Sequence, residues 1–71
     1  MRFPRIRDMR EDADLTQAQV AEMLGIAQTV YSRYERGFQT IPLGLLIRLA
    51  DCYNVSLDYL VGRTTEMKMN Q

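Results

Sequence analysis

The stretch LTQAQVAEMLGIAQTVYSRYERG, residues 15–37, holds two helix-sized segments on either side of a single glycine. Thr16 followed by Gln19 forms a capping box, and Val20, Ala21 and Leu24 make an apolar stripe that stops at Gly25, so a helix is predicted over 16–24. The next helix, 28–36, starts within three residues of that glycine and is closed by Gly37 as its left-handed cap. So short a connection excludes an antiparallel hairpin of long helices and requires a sharp turn, with Ile26 as its apolar plug.

The rest of the chain reads in the same idiom. Pro4 can serve as a first helical residue, and Ile6, Met9 and Ala13 follow at helical spacing until EDAD loosens the pattern. Pro42 opens another helix, PLGLLIRLADCY, on which Leu43, Leu46, Ile47, Ala50 and Tyr53 are assigned to one broad buried face. Gly44 in its first turn costs about 1 kcal/mol relative to alanine. Asn54 interrupts, Ser56 caps a last short helix through Val61 with Asp58 near its positive end, and Gly62 ends it. The expectation is an all-α fold of five short helices, one domain over 1–63, with a tail at 64–71 that frays.

Seventy-one residues with 46% hydrophobic content fit one small core, which buries only about 60% of the unfolded chain's surface. The chain has one cysteine and no histidine, so neither a disulfide, nor a zinc site of nitrogen and sulfur ligands, nor an imidazole base can be built from it. Cys52 reads as a small core residue, and no metal or cofactor is expected. Asp12, Asp14 and Thr16 imitate the start of a calcium loop, but Gln17 and Met23 stand where its glycine and closing glutamate belong. Asp8, Glu11, Asp12 and Asp14 read as a solvated helix end, and no catalytic pair is assigned. No apolar run approaches the roughly 18 residues of a membrane span, and MRFPRIRD lacks a signal peptide's apolar stretch. A soluble, cytoplasmic protein is expected.

The formal charge is zero, which on the sum argues against a polyanionic partner. The distribution is uneven, however: Arg2, Arg5 and Arg7 lie in residues 1–7 without an acid, whereas 8–24 hold five acids against Arg10 alone. On a helical wheel of 28–36, Tyr31 and Tyr34 share the core side with Val30 and Glu35 at its margins. The opposite side collects Gln28, Thr29, Ser32, Arg33 and Arg36, without a carboxylate. Gln pairs with adenine, Arg with guanine, and Ser or Thr with base or phosphate, so this face suits a DNA major groove. Composition alone leaves an ordinary solvated face equally open.

The run LTQAQVAEMLGIAQTVYSRYERG followed by IPLGLLIRLADCYNVSLDYLVGRT strongly resembles the Cro/C1-type (XRE-like) helix-turn-helix family of phage and bacterial repressors, over about residues 4–63. The most specific pieces are LTQ, SRYERG and YNVSLDYL in the family's order. The resemblance implies a lambda-repressor-like domain with its helix-turn-helix at helices two and three, the third helix entering the major groove of double-stranded DNA. By position it assigns base reading to Gln28, Thr29, Ser32 and Arg33, and backbone contact to Thr16, Gln17, Arg36 and Phe38. It also implies a largely buried ion pair between Arg10 and Glu35. Ala27 departs from the usual Ser or Thr cap, Val30 from a commonly polar position, and Gly44 from an acid or serine.

The implied function is a transcriptional regulator, read as a repressor, working as a homodimer with Leu57, Tyr59 and Leu60 as interface candidates and no small-molecule ligand. The alternative, which the neutral net charge keeps open, is a protein-interaction module such as an antitoxin or adaptor that retains the fold.

Overall fold

The computed structural model describes residues 3–66. Within them lie five helices and no strand: α1 (Pro4–Asp12), α2 (Gln17–Leu24), α3 (Gln28–Arg36), α4 (Leu43–Tyr53) and α5 (Leu57–Leu60). Among the described residues no helix is long and apolar enough to cross a membrane.

Local chemistry sets the boundaries. Thr16 accepts from the Gln19 amide while the Gln19 side chain accepts from the Thr16 amide, satisfying two donors at the start of α2. Three helices then end on one device. Gly25, Gly37 and Asn54 each adopt left-handed backbone, and the residue that follows donates its amide five residues back, Ile26 to Ala21, Phe38 to Arg33 and Val55 to Ala50, at 2.9–3.0 Å. Ala27 offers α3 no side-chain cap, as its methyl requires, and Pro42 stands just outside α4 as its cap residue rather than as its first helical residue.

The core gathers Ile6 and Met9 from α1, Val20, Ala21 and Leu24 from α2, Tyr31 from α3, Leu46, Leu49 and Ala50 from α4, and Leu60 from α5, with Ile41 and Val55 from the connections. Arg48 on α4 reaches the end of α2 and donates to the Leu24 and Met23 carbonyls at 3.0 and 3.3 Å. It thus supplies acceptors exposed at a helix C-terminus with a cation, and fixes α4 beneath the turn.

Several expectations are corrected here. On α4 the buried stripe is Leu46, Leu49 and Ala50, with Tyr53 half-buried, while Leu43 (62%) and Ile47 (44%) are exposed. The buried face of α4, which packs against α2 and α5, is therefore centred nearer Leu49 than the face assigned to it. Cys52, expected in the core, is exposed as well. Ala13 is exposed, so the buried stripe of α1 ends at Met9. The first residues of the assigned tail are also tied down: the Thr64 carbonyl accepts from Arg5, and the Glu66 carbonyl from the Ser56 hydroxyl at 3.4 Å. Residues 1–2 and 67–71, which include Arg2, Met67, Met69 and the rest of that tail, lie outside the described residues.

Candidate nucleic-acid interface

The turn after α2 sets α3 across it, and the αL residues Gly25 and Gly37 mark both ends of the segment that carries the assigned reading residues. Tyr31 and Glu35, one helical turn apart, point inward and are buried. Glu35 therefore sits at the centre of the inner face rather than at its margin, and Tyr34 and Val30 are half-buried beside it. Outward stand Gln28, Thr29, Arg33 and Arg36, all exposed, with Ser32 half-buried at the edge.

A carboxylate that is only 4% exposed needs compensation, and Glu35 has it. Arg10 on α1 grips it with two prongs, Nε to Oε2 and Nη2 to Oε1, both at 2.9 Å. A third nitrogen of Arg10 donates to the Leu15 carbonyl at 2.8 Å, and Gln17 Nε2 donates to Glu35 Oε1 at 3.3 Å. Burial pushes the Glu35 carboxyl up, but the hydrogen bonds, chiefly from Arg10, outweigh it and hold the group below its ordinary value. Bonding to Glu35 raises the Arg10 guanidinium in turn.

The Tyr31 and Tyr53 hydroxyls lie buried without a well-formed hydrogen bond. Burial first, and the neighbouring Glu35 carboxylate second, push the Tyr31 hydroxyl far above its ordinary value and that of Tyr53 up to about 12. The lone acid of α3 is thus neutralised internally, and the helix turns an acid-free face to solvent.

That face lines one open concavity of about 350 Å³ with Gln17, Gln28, Thr29, Ser32, Arg33, Arg36 and Phe38. The structure brings together all four residues assigned to base reading and three of those assigned to the backbone. Thr16, the fourth, spends its hydroxyl on the α2 capping box. Ile26 and Val55, which follow the caps of α2 and α4, pack against or within the core, whereas Phe38, in the equivalent place after α3, is 68% exposed. The Arg36 guanidinium lies 4.6 Å from the centre of its ring. An aromatic ring and a cation are therefore held at the rim of the concavity, where the apolar contact usual for this cap is forgone.

The interface candidates divide. Leu57 and Tyr59 are half-buried, and one face of the Tyr59 ring is covered by the Arg5 guanidinium at 4.1 Å. Leu60 is fully buried in the core and is corrected as an interface residue, since it has no surface to offer a partner. The inward bond of Gln17 and the Arg5 clasp on Tyr59 and Thr64 escaped the sequence reading, as did the Arg48 bonds to the end of α2, since none carries a local pattern.

A family model described as helix-turn-helix matches residues 6–60. The chain is 37% identical over 67 residues to the HTH-type transcriptional regulator ImmR of Bacillus subtilis, covering 94% of this chain and 53% of that protein. It is 37% identical over 59 residues to the cryptic phage CTXphi transcriptional repressor RstR of Vibrio cholerae, covering 83% and 53%. A more distant relative is the antitoxin PezA of Streptococcus pneumoniae, 35% identical over 57 residues, covering 80% and 36%. The chain spans about half the length of the regulators it matches. The crystal structure of a transcriptional regulator from Listeria innocua superimposes with a TM-score of 0.78 at 27% identity, over 93% of this chain and 62% of that one. With the matched segment running from α1 through α5, the chain belongs to the Cro/C1-type helix-turn-helix family.

Proposed function

We propose that this chain binds double-stranded DNA sequence-specifically as a transcriptional regulator, acting as a repressor, with α3 laid in the major groove. The observation that carries this reading is the acid-free outer face of α3, whose one carboxylate is turned inward and held by Arg10. Gln28, Thr29, Ser32 and Arg33 read base edges, while Gln17, Arg36 and Phe38 meet the sugar-phosphate backbone at the rim. Gln17 begins α2, so the helix directs its positive end at a phosphate. Two copies, paired through the surface near Leu57 and Tyr59, place two such helices about one DNA turn apart.

The test is selection of bound sites from a random duplex pool, followed by titration of the selected site and of random duplex at two salt concentrations. A specific complex weakened by salt supports the reading. Arg33→Ala should then relax specificity at one position at a cost of about 1–3 kcal/mol, whereas Arg36→Ala should weaken all sequences alike. Normal binding by Arg33→Ala would overturn the assignment of α3. The likeness to an antitoxin favours a second reading, a protein-interaction module, which the absence of any duplex complex would support.

A further inference from the structure

Beside the reading face lies a second open concavity of about 420 Å³, lined by Arg7, Arg10, Gln17, Glu35 and Arg36. Gln17 and Arg36 line both hollows, so the second adjoins the first along the rim where α2 begins. Three guanidiniums face a single carboxylate there, and that carboxylate is already gripped by Arg10. Among the lining residues the positive charge left over rests on Arg7 and Arg36, both exposed, although Glu11 outside the lining offsets that of Arg7.

Arg7 is occupied by a weak partner. Its Nε lies 3.1 Å from Glu11 Oε1 one turn along α1, with both side chains about half exposed (54% and 53%). A surface pair of this kind is held loosely and gives way to a better-placed anion.

We propose that Arg7, with Gln17 and Arg36, forms a site for one backbone phosphate of the DNA strand bound by α3, and that Glu11 competes with that phosphate for Arg7. The inference rests on the DNA reading above and extends it to α1, which otherwise stands outside the contact. Arg10, beneath the site, is committed to Glu35 and serves as its floor. On binding, the Arg7 guanidinium exchanges the Glu11 carboxylate for a phosphodiester oxygen. Its contribution carries no sequence information, since a phosphate presents the same oxygens whatever the base.

The experiment uses duplexes selected by the wild-type chain together with random duplex, titrated over a salt series. Arg7→Ala should weaken binding to both by the same factor, about three- to tenfold at low salt, and reduce the slope of log affinity against log salt by about one. Glu11→Gln should strengthen binding to both duplexes in the wild-type background and do nothing when Arg7 is already alanine. A neutral methylphosphonate scanned along the strand should abolish the difference between wild type and Arg7→Ala at one position only. An unchanged salt slope for Arg7→Ala, or a loss confined to the selected site, overturns this inference while leaving the α3 reading intact. If the wild-type chain binds no duplex, both fall together. Arg7→Lys, which keeps the charge, should retain most of the affinity, and its failure to do so would mean that the loss in Arg7→Ala reflects altered packing.

Discussion

Two arginines on α1, Arg5 and Arg10, each reach across the molecule, and they are satisfied in opposite ways. Arg10 meets a carboxylate 25 residues away, and the side chains of the pair are only 14% and 3% exposed. Among the described residues Arg5 meets no acid: it donates to the carbonyls of Tyr59, at 2.7 Å, and Thr64, and lies 4.1 Å over the Tyr59 ring. The first junction joins α1 to the inner face of the candidate reading helix, and the second joins α1 to the far end of the chain. The difference shows where a full countercharge is needed. A buried charge must be matched by charge, whereas a cation still in touch with solvent is held adequately by dipoles and a ring face.

The sharpest way to break this contrast is Glu35→Gln. It leaves Arg10 buried without its counterion, although the amide oxygen still accepts one hydrogen bond, so the loss should fall near the low end for broken buried pairs, about 3 kcal/mol. For a domain of this size that lowers Tm by more than about 10 °C, measurable by circular dichroism. An unchanged Tm would mean that the pair is energetically idle.

Acid should do by titration what that substitution does by chemistry. The Glu35 carboxyl is held below its ordinary 4.5 in the folded chain, so the stability it contributes is fully present above that value and is lost as pH falls through the lower folded value. Denaturant midpoints recorded from pH 6 down to pH 3 should therefore fall in the wild type more steeply than in Glu35→Gln, and parallel curves would count against the assignment. Arg5→Ala should be milder, about 1–2 kcal/mol, the sum of a cation–π contact and two partly exposed hydrogen bonds. Because the contacts of Arg5 among the described residues are carbonyls and a ring, the steepness of the acid curve should be the same in Arg5→Ala as in the wild type. A changed steepness would show that the two junctions are coupled through α1.

How much of this is legible in the sequence follows the range of the forces. Thr16 with Gln19, Gly25, Gly37, Asn54 and Ser56 act within one turn of themselves, and the starts and ends of α2, α3 and α5 could be read from them to within a residue. The outward set on α3 was also legible, because a helix with two tyrosines on one side and two arginines on the other has a single plausible orientation. On α4 no such contrast exists: Leu43, Leu45, Leu46, Ile47 and Leu49 are nearly interchangeable in hydropathy, so several faces fit equally well. Only the tertiary packing chooses among them, placing Leu49 inside and Leu43 and Ile47 outside.

The sequence by itself determined that five short helices form, where the second and third stop, that a sharp turn joins these two, and which family the chain resembles. The tertiary structure alone decided the rotation of α4, the exposure of Cys52, the burial of Leu60, the inward turn of Gln17 and the Arg5 clasp on Thr64. Caps and turns are set by hydrogen bonds and backbone angles that a few neighbouring residues contain. Burial and long-range pairing depend on what the rest of the chain lays against each face, and only the packed molecule holds that information.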